Sequence, residues 1–545
     1  MASQKPTPVA ANDAQAIDLS PLSQELVIGL VGYAGAGCST AARRLDVFLS
    51  NLDYDVHIIK LSKLISAQRS DVTLPVAVPG KNEGQLKLDR AIALQDLGDE
   101  LRQRFNANAV ASLAIREIRA IRGVGDVGRK KTAFILESLK HHEEVDLLRK
   151  VYDLTFRLIA VHCEREKREA RLIGTATSTA KYRGVPRADV QKFMDRDEKD
   201  ASVSFGQEVR DAFYIADYFL DNSTNSHDGA NLSDDLERFV ALILGEGLVR
   251  PTKSERAMHH AHAAALQSAC LSRQVGAVLA SGEGEILATG TNDVPRFGGG
   301  VYQEGGEPDH RCHVWEWGEG ELTFVGCHND RKKKALRAEI GSWLAENIAS
   351  QMATLAHPIQ SGEFDAAASA RSAAEKAIRD YLAAPPISFD KIPGIKDLIE
   401  YSRAIHAEMD AVLAASRAGI SPVGTVLYCT TYPCHNCARH LVTAGVEKVY
   451  FIEPYVKSLA TELHSDAITA EDEGQDRPTK MAILPFTGVG PRMYDDLFVK
   501  RGPLKGAGGV YDPPKASVPA FAVRLKELAG VEEAAASLVP EVSGG

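Results

Sequence analysis

Cysteine is scarce in this chain, with eight in 545 residues. That density is too low for a disulfide-held fold and points to a reducing, cytoplasmic setting where clustered Cys and His serve as metal ligands. Long apolar runs are missing too. No segment approaches the roughly 18 residues of a membrane span, and the apolar stretch Leu26–Gly37 is short and glycine-rich. The opening residues, MASQKPTPVAANDAQ, lack the basic-then-apolar order of a secretory signal. Nor is there a surplus of positive charge: Lys+Arg 63 against Asp+Glu 73 leaves a formal −10. Gripping polymeric DNA or RNA relies on phosphate neutralisation, so this balance favours free small molecules over a stable nucleic-acid partner. What is present is ordinary for a globular protein: 44% hydrophobic and 25% charged residues exclude a wholly disordered or collagen-like chain.

Residues 1–22 are rich in Ala, Pro, Ser and Asp without periodicity and read as a flexible tail. Apolar runs at Glu25–Val31, Val56–Ile59, Ala133–Leu136 and Phe156–Val161 then alternate with helix-like stretches. That alternation predicts a doubly wound α/β domain over 23–222. The turn-rich DNSTNSHDGANL opens an expected linker, 223–251. A second domain is expected over 252–500, with an insertion around 300–398, followed by a mobile Gly/Pro/Ala-rich tail over 501–545 in which a short helix fits Ala520–Leu528.

The strongest chemical signal is His406-Ala407-Glu408 followed by Pro433-Cys434-His435-Asn436-Cys437. One imidazole and two thiolates give Zn²⁺ three protein ligands and leave the fourth tetrahedral position for water. The metal lowers the pKa of that water toward neutrality. His406, Cys434 and Cys437 are therefore the candidate ligands. Glu408 is the candidate proton shuttle: it takes the water's proton, protonates ring N3 of a cytosine and helps the 4-amino group leave as ammonia. A lone C-x-x-C also reads as a redox pair or a structural zinc knuckle. The upstream H-x-E, the preceding proline and the strand-like Thr425–Cys429 favour the nucleobase-deaminase signature instead. His435 and His440 hold no ligand position in it, and Cys429 reads as a small buried hydrophobe.

Residues 254 to about 460 resemble the deoxycytidylate deaminase family of the cytidine deaminase superfamily. Besides the zinc motif, the matching stretches are Ser268-Ala269-Cys270-Leu271-Ser272-Arg273-Gln274-Val275-Gly276-Ala277, Gly290-Thr291-Asn292-Asp293-Val294-Pro295 and Gly445-Val446-Glu447-Lys448-Val449-Tyr450. The resemblance implies a three-layer α/β/α deaminase fold, an Asn292 that contacts the sugar, an Arg273 that shapes the nucleotide pocket, and homo-oligomeric assembly. The long insertion between Asn292 and His406 departs from a minimal deaminase. Its Cys312-His313 and Cys327-His328 pairs fit a second, structural zinc site, and fit scattered loop residues equally well.

Gly32-Tyr33-Ala34-Gly35-Ala36-Gly37-Cys38-Ser39 fits the phosphate-loop pattern G-x-x-x-x-G-K-[ST] except at the lysine, which is Cys38. Backbone N–H groups around Gly35 and Gly37 would cradle phosphates at a helix start, ahead of Thr40. Ser39 would reach Mg²⁺. The missing ammonium removes a large share of transition-state stabilisation in phosphoryl transfer, so the loop fits nucleotide binding better than kinase activity. A helix-start turn without a ligand is the alternative. The domain resembles nucleoside monophosphate kinases, which implies a lid helix at Glu164–Arg171; a solvated, salt-bridged helix is the alternative reading of that charge.

A P-loop kinase-like domain fused to a deoxycytidylate-type deaminase resembles the bacterial anti-phage dCTP deaminases, over nearly the whole chain and including Phe134–His141 and Glu453–Ser458. That resemblance implies conversion of free dCTP to dUTP and ammonia, with the N-terminal domain regulating through a bound nucleotide. The zinc motif alone equally permits housekeeping dCMP deamination. A nucleotide-responsive binding module with minor deaminase activity is the other alternative, against which the positioned carboxylate of Glu408 speaks.

Overall fold

The computed structural model describes residues 23–68, 80–123, 130–174, 180–198, 205–223, 232–306, 308–318, 321–324, 326–355, 401–455, 458–472, 474, 478–500, 504–512 and 525–540, with a few single positions between 369 and 380. The expected N-terminal tail, 1–22, lies outside them. Among the described residues no helix is long and apolar enough to cross a membrane. The chain is mixed α/β and divides into two units. One comprises the described residues up to Arg256 together with those from Pro485 onward; the other is Ala257–Leu484.

The first unit is built on strands β1 (Leu26–Val31), β2 (Asp55–Lys60), β3 (Thr132–Leu139), β4 (Phe156–His162) and β5 (Tyr218–Asp221). β1 is buried at every position, as a central parallel strand covered on both faces requires. The sheet order is Gly488–Val489, β5, β4, β1, β3, β2. All ladders among β1–β5 are parallel, with Val27 opposite both Phe134 and Phe156, while the short Gly488–Val489 strand adds antiparallel to β5. Because the chain winds to β3 on one side of β1 and to β4 on the other, the loop leaving the carboxyl end of β1 sits at the topological switch point, where open α/β sheets place ligands. That loop is the glycine-rich Gly32–Gly37.

Three expectations about boundaries are corrected here. Part of the expected linker, 223–251, is the helix Leu232–Leu244. Its buried Leu232, Leu236, Phe239, Val240 and Ile243 recur at helical spacing and form one face packed into the core with Leu45 and Leu49. The second domain does not run to 500, because Val489, Met493, Leu497 and Phe498 belong to the first unit's core. The expected tail, 501–545, contains the helix Leu525–Ala536. Arg122 ties that helix down, pairing with Glu532 and with Glu25 at 2.6 Å each, all three side chains at most 4% exposed. Composition registers neither a chain that returns to its first sheet nor an ion pair across 410 positions.

The second unit carries a six-stranded sheet. Its strands are β6 (Gly276–Ala280), β7 (Ile286–Thr291), β10 (Val426–Thr431), β11 (Lys448–Glu453), β12 (Ile468–Thr469) and β13 (Met481–Pro485), with β8 (Trp315–Gly318) and β9 (Glu321–Phe324) forming a separate hairpin. The order is β12, β13, β11, β10, β6, β7. β10 pairs parallel with β11 and antiparallel with β6. Two glycines establish the layering. Gly276 pairs with Thr291 and Gly290 with Ala277, so the two glycines face opposite sides of the sheet. A Cβ at Gly276 would lie 1.9 Å from the Ala261 carbonyl, and one at Gly290 2.2 Å from that of Ala407. The helices Lys253–Ala265 and Ala407–Arg417 therefore cover the two faces, giving the α/β/α sandwich.

Candidate active site

Two helix starts build the candidate metal site. His406 is the extended residue immediately before the helix Ala407–Arg417. Cys434 caps the helix His435–Ala444, its sulfur accepting the Cys437 N–H at 3.4 Å, which places Cys437 in the first turn. The His406 Nδ1 lies 3.4 Å from both the Cys434 and the Cys437 sulfurs. Zinc bonds of about 2.05 Å to nitrogen and about 2.3 Å to sulfur at a tetrahedral angle put the two donors about 3.5 Å apart. The observed spacing therefore fits that ion.

The electrostatics fit it as well. The hydrogen bond from Cys437, with His406 alongside, holds the Cys434 thiol down at about 4. That same bond, with burial, pushes Cys437 well above the ordinary thiol range. Two thiolates side by side repel, and a cation between them relieves the repulsion. Glu408 is 4% exposed in the first turn of its helix. Burial pushes its carboxyl up to about 7, against the pull of His406. A carboxyl poised there can both take and return a proton near neutral pH.

His406, Glu408 and Cys434 line a cavity of about 270 Å³ together with Asn292, Arg273 and Tyr432. Both polar groups of the Asn292 side chain are already engaged. Its Nδ2 donates to the Arg273 carbonyl at 2.8 Å, and its Oδ1 accepts the Val275 N–H at 2.6 Å. Asn292 thus holds the 273–275 backbone at the cavity edge. Arg273 pairs with Glu453 at 2.8 Å, and Thr431 donates to the other Glu453 oxygen. Cys429 is fully buried in β10.

Among the described residues three-ligand clusters occur at two places, His406/Cys434/Cys437 and His141/His142/Glu208. Cys312, His313, Cys327 and His328 are not brought together as one. Cys312-His313 sit in a turn and Cys327-His328 at the start of the helix His328–Leu355. Cys312, Cys327 and His328 instead line the cavity that holds His406. At the other cluster, the His141 Nδ1 accepts the Glu143 N–H to cap the helix His142–Tyr152. The remaining nitrogen of a neutral ring then carries the proton, which accounts for that cluster without a metal.

Residues 251–453 match the cytidine and deoxycytidylate deaminase zinc-binding region family. All but the first few of those residues lie in the second unit. Its curated relatives include ComE operon protein 2 of Bacillus subtilis (strain 168), 43% identical over 54 residues, and the deoxycytidylate deaminase of Enterobacteria phage T2, 41% identical over 54 residues. In each case the match covers 10% of this chain, which spans 29% of the relative's length. Among solved structures, the dCMP deaminase of cyanophage S-TIM5 in complex with dCMP and dUMP aligns over 44% of this chain and 99% of its own, at 16% identity and a TM-score of 0.22. A shikimate kinase from Bacteroides thetaiotaomicron aligns over 40% of this chain and 98% of its own, at 13% identity and a TM-score of 0.23.

In the first unit, the glycine loop is braced by side chains from elsewhere in the chain. Gly35 and Gly37 adopt the left-handed backbone, and Gly37 precedes the helix Cys38–Ser50. Ser39 and Thr40 open that helix, and the Ser39 hydroxyl bonds the Glu137 carboxylate at the end of β3. Cys38 points into the core, where burial pushes its thiol up to about 12. Two residues that sequence reasoning passed over complete the loop. Lys140 donates to the Gly32 carbonyl at 3.2 Å, and Asp197 accepts the Ala34 N–H at 2.7 Å. The charged helix Arg165–Ile173 lies against the loop as well, with the Arg168 guanidinium over the Tyr33 ring.

Proposed function

We propose that this chain hydrolyses dCTP to dUTP and ammonia in the cytoplasm, with zinc held by His406, Cys434 and Cys437, and so drains a DNA precursor in defence against phage. One observation carries the chemistry: a buried carboxyl, Glu408, with its proton affinity raised toward neutrality, beside three converging ligand atoms at the wall of a cavity. Zinc, when bound there, supplies the Lewis acidity that makes water nucleophilic at neutral pH. Glu408 accepts the proton that water gives up, passes it to ring N3, and helps protonate the amine. The C4–N bond breaks, a C4–O bond replaces it, and ammonia departs. Exclusion of bulk water at a 4% exposed carboxyl strengthens each of these proton transfers.

The triphosphate rests on the fusion of a phosphate-loop domain with a deaminase. In the same proposal that loop, Gly32–Thr40, binds a regulatory nucleotide with Mg²⁺, and the chain works as a homo-oligomer. Deamination of dCMP is the second reading, favoured by the deoxycytidylate deaminases of phages T2 and T4 among the relatives. Incubating the zinc-loaded full chain with dCMP, dCTP, CTP and cytidine and separating the uracil products decides between them. Product from dCTP supports the first reading, and product from dCMP alone overturns it. Glu408→Gln should retain zinc and lose activity by about a hundredfold or more; a near-normal rate would sink the proton-shuttle assignment.

A further inference from the structure

We infer that Lys140, the residue after β3, supplies the polyphosphate-gripping ammonium that the glycine loop lacks at Cys38. Asp197 holds the place of the polyphosphate until a nucleotide displaces it. This rests on the reading of Gly32–Thr40 as a nucleotide site and deepens it by naming the group that grips the ligand.

In the phosphate-loop pattern, the side chain after the last glycine reaches back over the loop toward the β- and γ-phosphates. Here that side chain is Cys38, and a Cβ at Gly32 would lie 2.8 Å from its sulfur. The Lys140 ammonium bonds the carbonyl of the same glycine at 3.2 Å. A lysine thus reaches the place where the pattern puts one, from the end of the neighbouring strand β3 rather than from the helix after the loop. The field agrees. Burial raises the Cys38 thiol, and of the charges around it Lys140 pulls hardest the other way.

The loop already carries an anion. Asp197 accepts the Ala34 N–H at 2.7 Å through one oxygen and the Lys140 ammonium at 2.8 Å through the other. A terminal phosphate offers an amide and an ammonium the same anionic oxygens as a carboxylate. A second observation points to a ligand as well. The Tyr182 side chain is fully buried, and its hydroxyl has no hydrogen-bond partner among the described residues. It lies toward the same acid, since after burial the Asp197 carboxylate is what pushes its phenol up. Ala34 of the loop packs against the Tyr182 cluster, and the Lys181 ammonium lies over that ring, 5.2 Å from its centroid. A buried hydroxyl without an acceptor is costly, and a phosphate brought to the loop gives it one. The other acid nearby, Glu137, is engaged by Ser39 and, at 3.7 Å, by Lys60.

Tripolyphosphate carries the polyphosphate without a base, so it tests the grip directly. It is titrated calorimetrically, with magnesium, into the full chain and into Lys140→Gln, Lys140→Arg and Asp197→Asn, with ATP in parallel. Lys140→Gln should weaken tripolyphosphate binding at least about tenfold, the worth of a charge-assisted hydrogen bond, and Lys140→Arg should restore part of it. Asp197→Asn removes the competing charge and should tighten binding by about threefold or more, which a merely structural contact would not do. Unchanged affinity in Lys140→Gln, or unchanged or weaker affinity in Asp197→Asn, overturns the inference and leaves the loop as a nucleotide site. A wild type that binds neither tripolyphosphate nor ATP overturns both readings. If thermal melting shows Lys140→Gln unfolded, Lys140→Arg and Asp197→Asn decide.

Discussion

Asp197 sets one carboxylate oxygen 2.7 Å from the Ala34 nitrogen and the other 2.8 Å from the Lys140 ammonium. An anion supplied by the chain itself thus stands on the glycine loop, with its side chain 3% exposed. Asp197→Ala removes it and leaves a part-buried ammonium and an amide without their partner. Such a loss costs about 3 kcal/mol. Denaturant unfolding of the full chain should show this destabilisation, and a smaller one for Asp197→Asn, which keeps an acceptor for the Ala34 N–H. Equal stability in wild type and Asp197→Ala would remove the contact from any structural role.

Gly290 makes a sharper prediction for the second unit. An added methyl would meet the Ala407 carbonyl at 2.2 Å and the Ala411 nitrogen at 2.3 Å, both backbone atoms of the helix that begins one residue after His406. Backbone cannot swing aside as a side chain does. Gly290→Ala should therefore destabilise by about 3 kcal/mol or more and lower zinc occupancy, read by elemental analysis of the purified chain. Full occupancy with unchanged stability would contradict this packing.

The C-terminal helix is anchored by charge. Glu532→Ala leaves Arg122, 4% exposed, with Glu25 as its remaining anchoring carboxylate. Part of the cost of an uncompensated buried charge, about 2–3 kcal/mol, should follow. Limited proteolysis should then cut within 525–540 faster than in the wild type. Replacing Arg122 and Glu532 together by apolar residues should recover much of the loss.

Asp235 gives a pH dependence. Burial pushes its carboxyl up to about 6, above the roughly 3.9 of an unfolded chain. The folded state therefore holds the proton more tightly. The stability it contributes is fully present below about pH 4 and is lost as pH rises through about 6. Asp235→Asn removes the penalty of the buried charge, raising Tm by about 2–4 °C at pH 8, with the gap closing toward pH 4. A gap independent of pH would assign the effect to something other than titration.

The strands and the metal motif were legible because each is local. A buried run such as LVIGLV announces a central strand, and H-x-E with P-C-x-x-C carries its ligand geometry in short spacings around two helix starts. Other features were not legible for an equally physical reason. Nothing near the glycine loop indicates that Lys140 and Asp197 will meet it, and Asp197 lies 163 positions from Ala34. Asn292, read by resemblance as a sugar contact, spends its amide on the backbone of 273–275.

By itself the sequence determined the α/β class and singled out His406, Cys434 and Cys437 as candidate ligands with Glu408 beside them, because periodicity and short spacing encode those directly. Tertiary structure alone decided that the segment from Pro485 onward returns to the first unit and that an internal carboxylate holds the glycine loop. Those outcomes depend on burial and on pairs far apart in the chain, whose energies exist only once the backbone has closed around them.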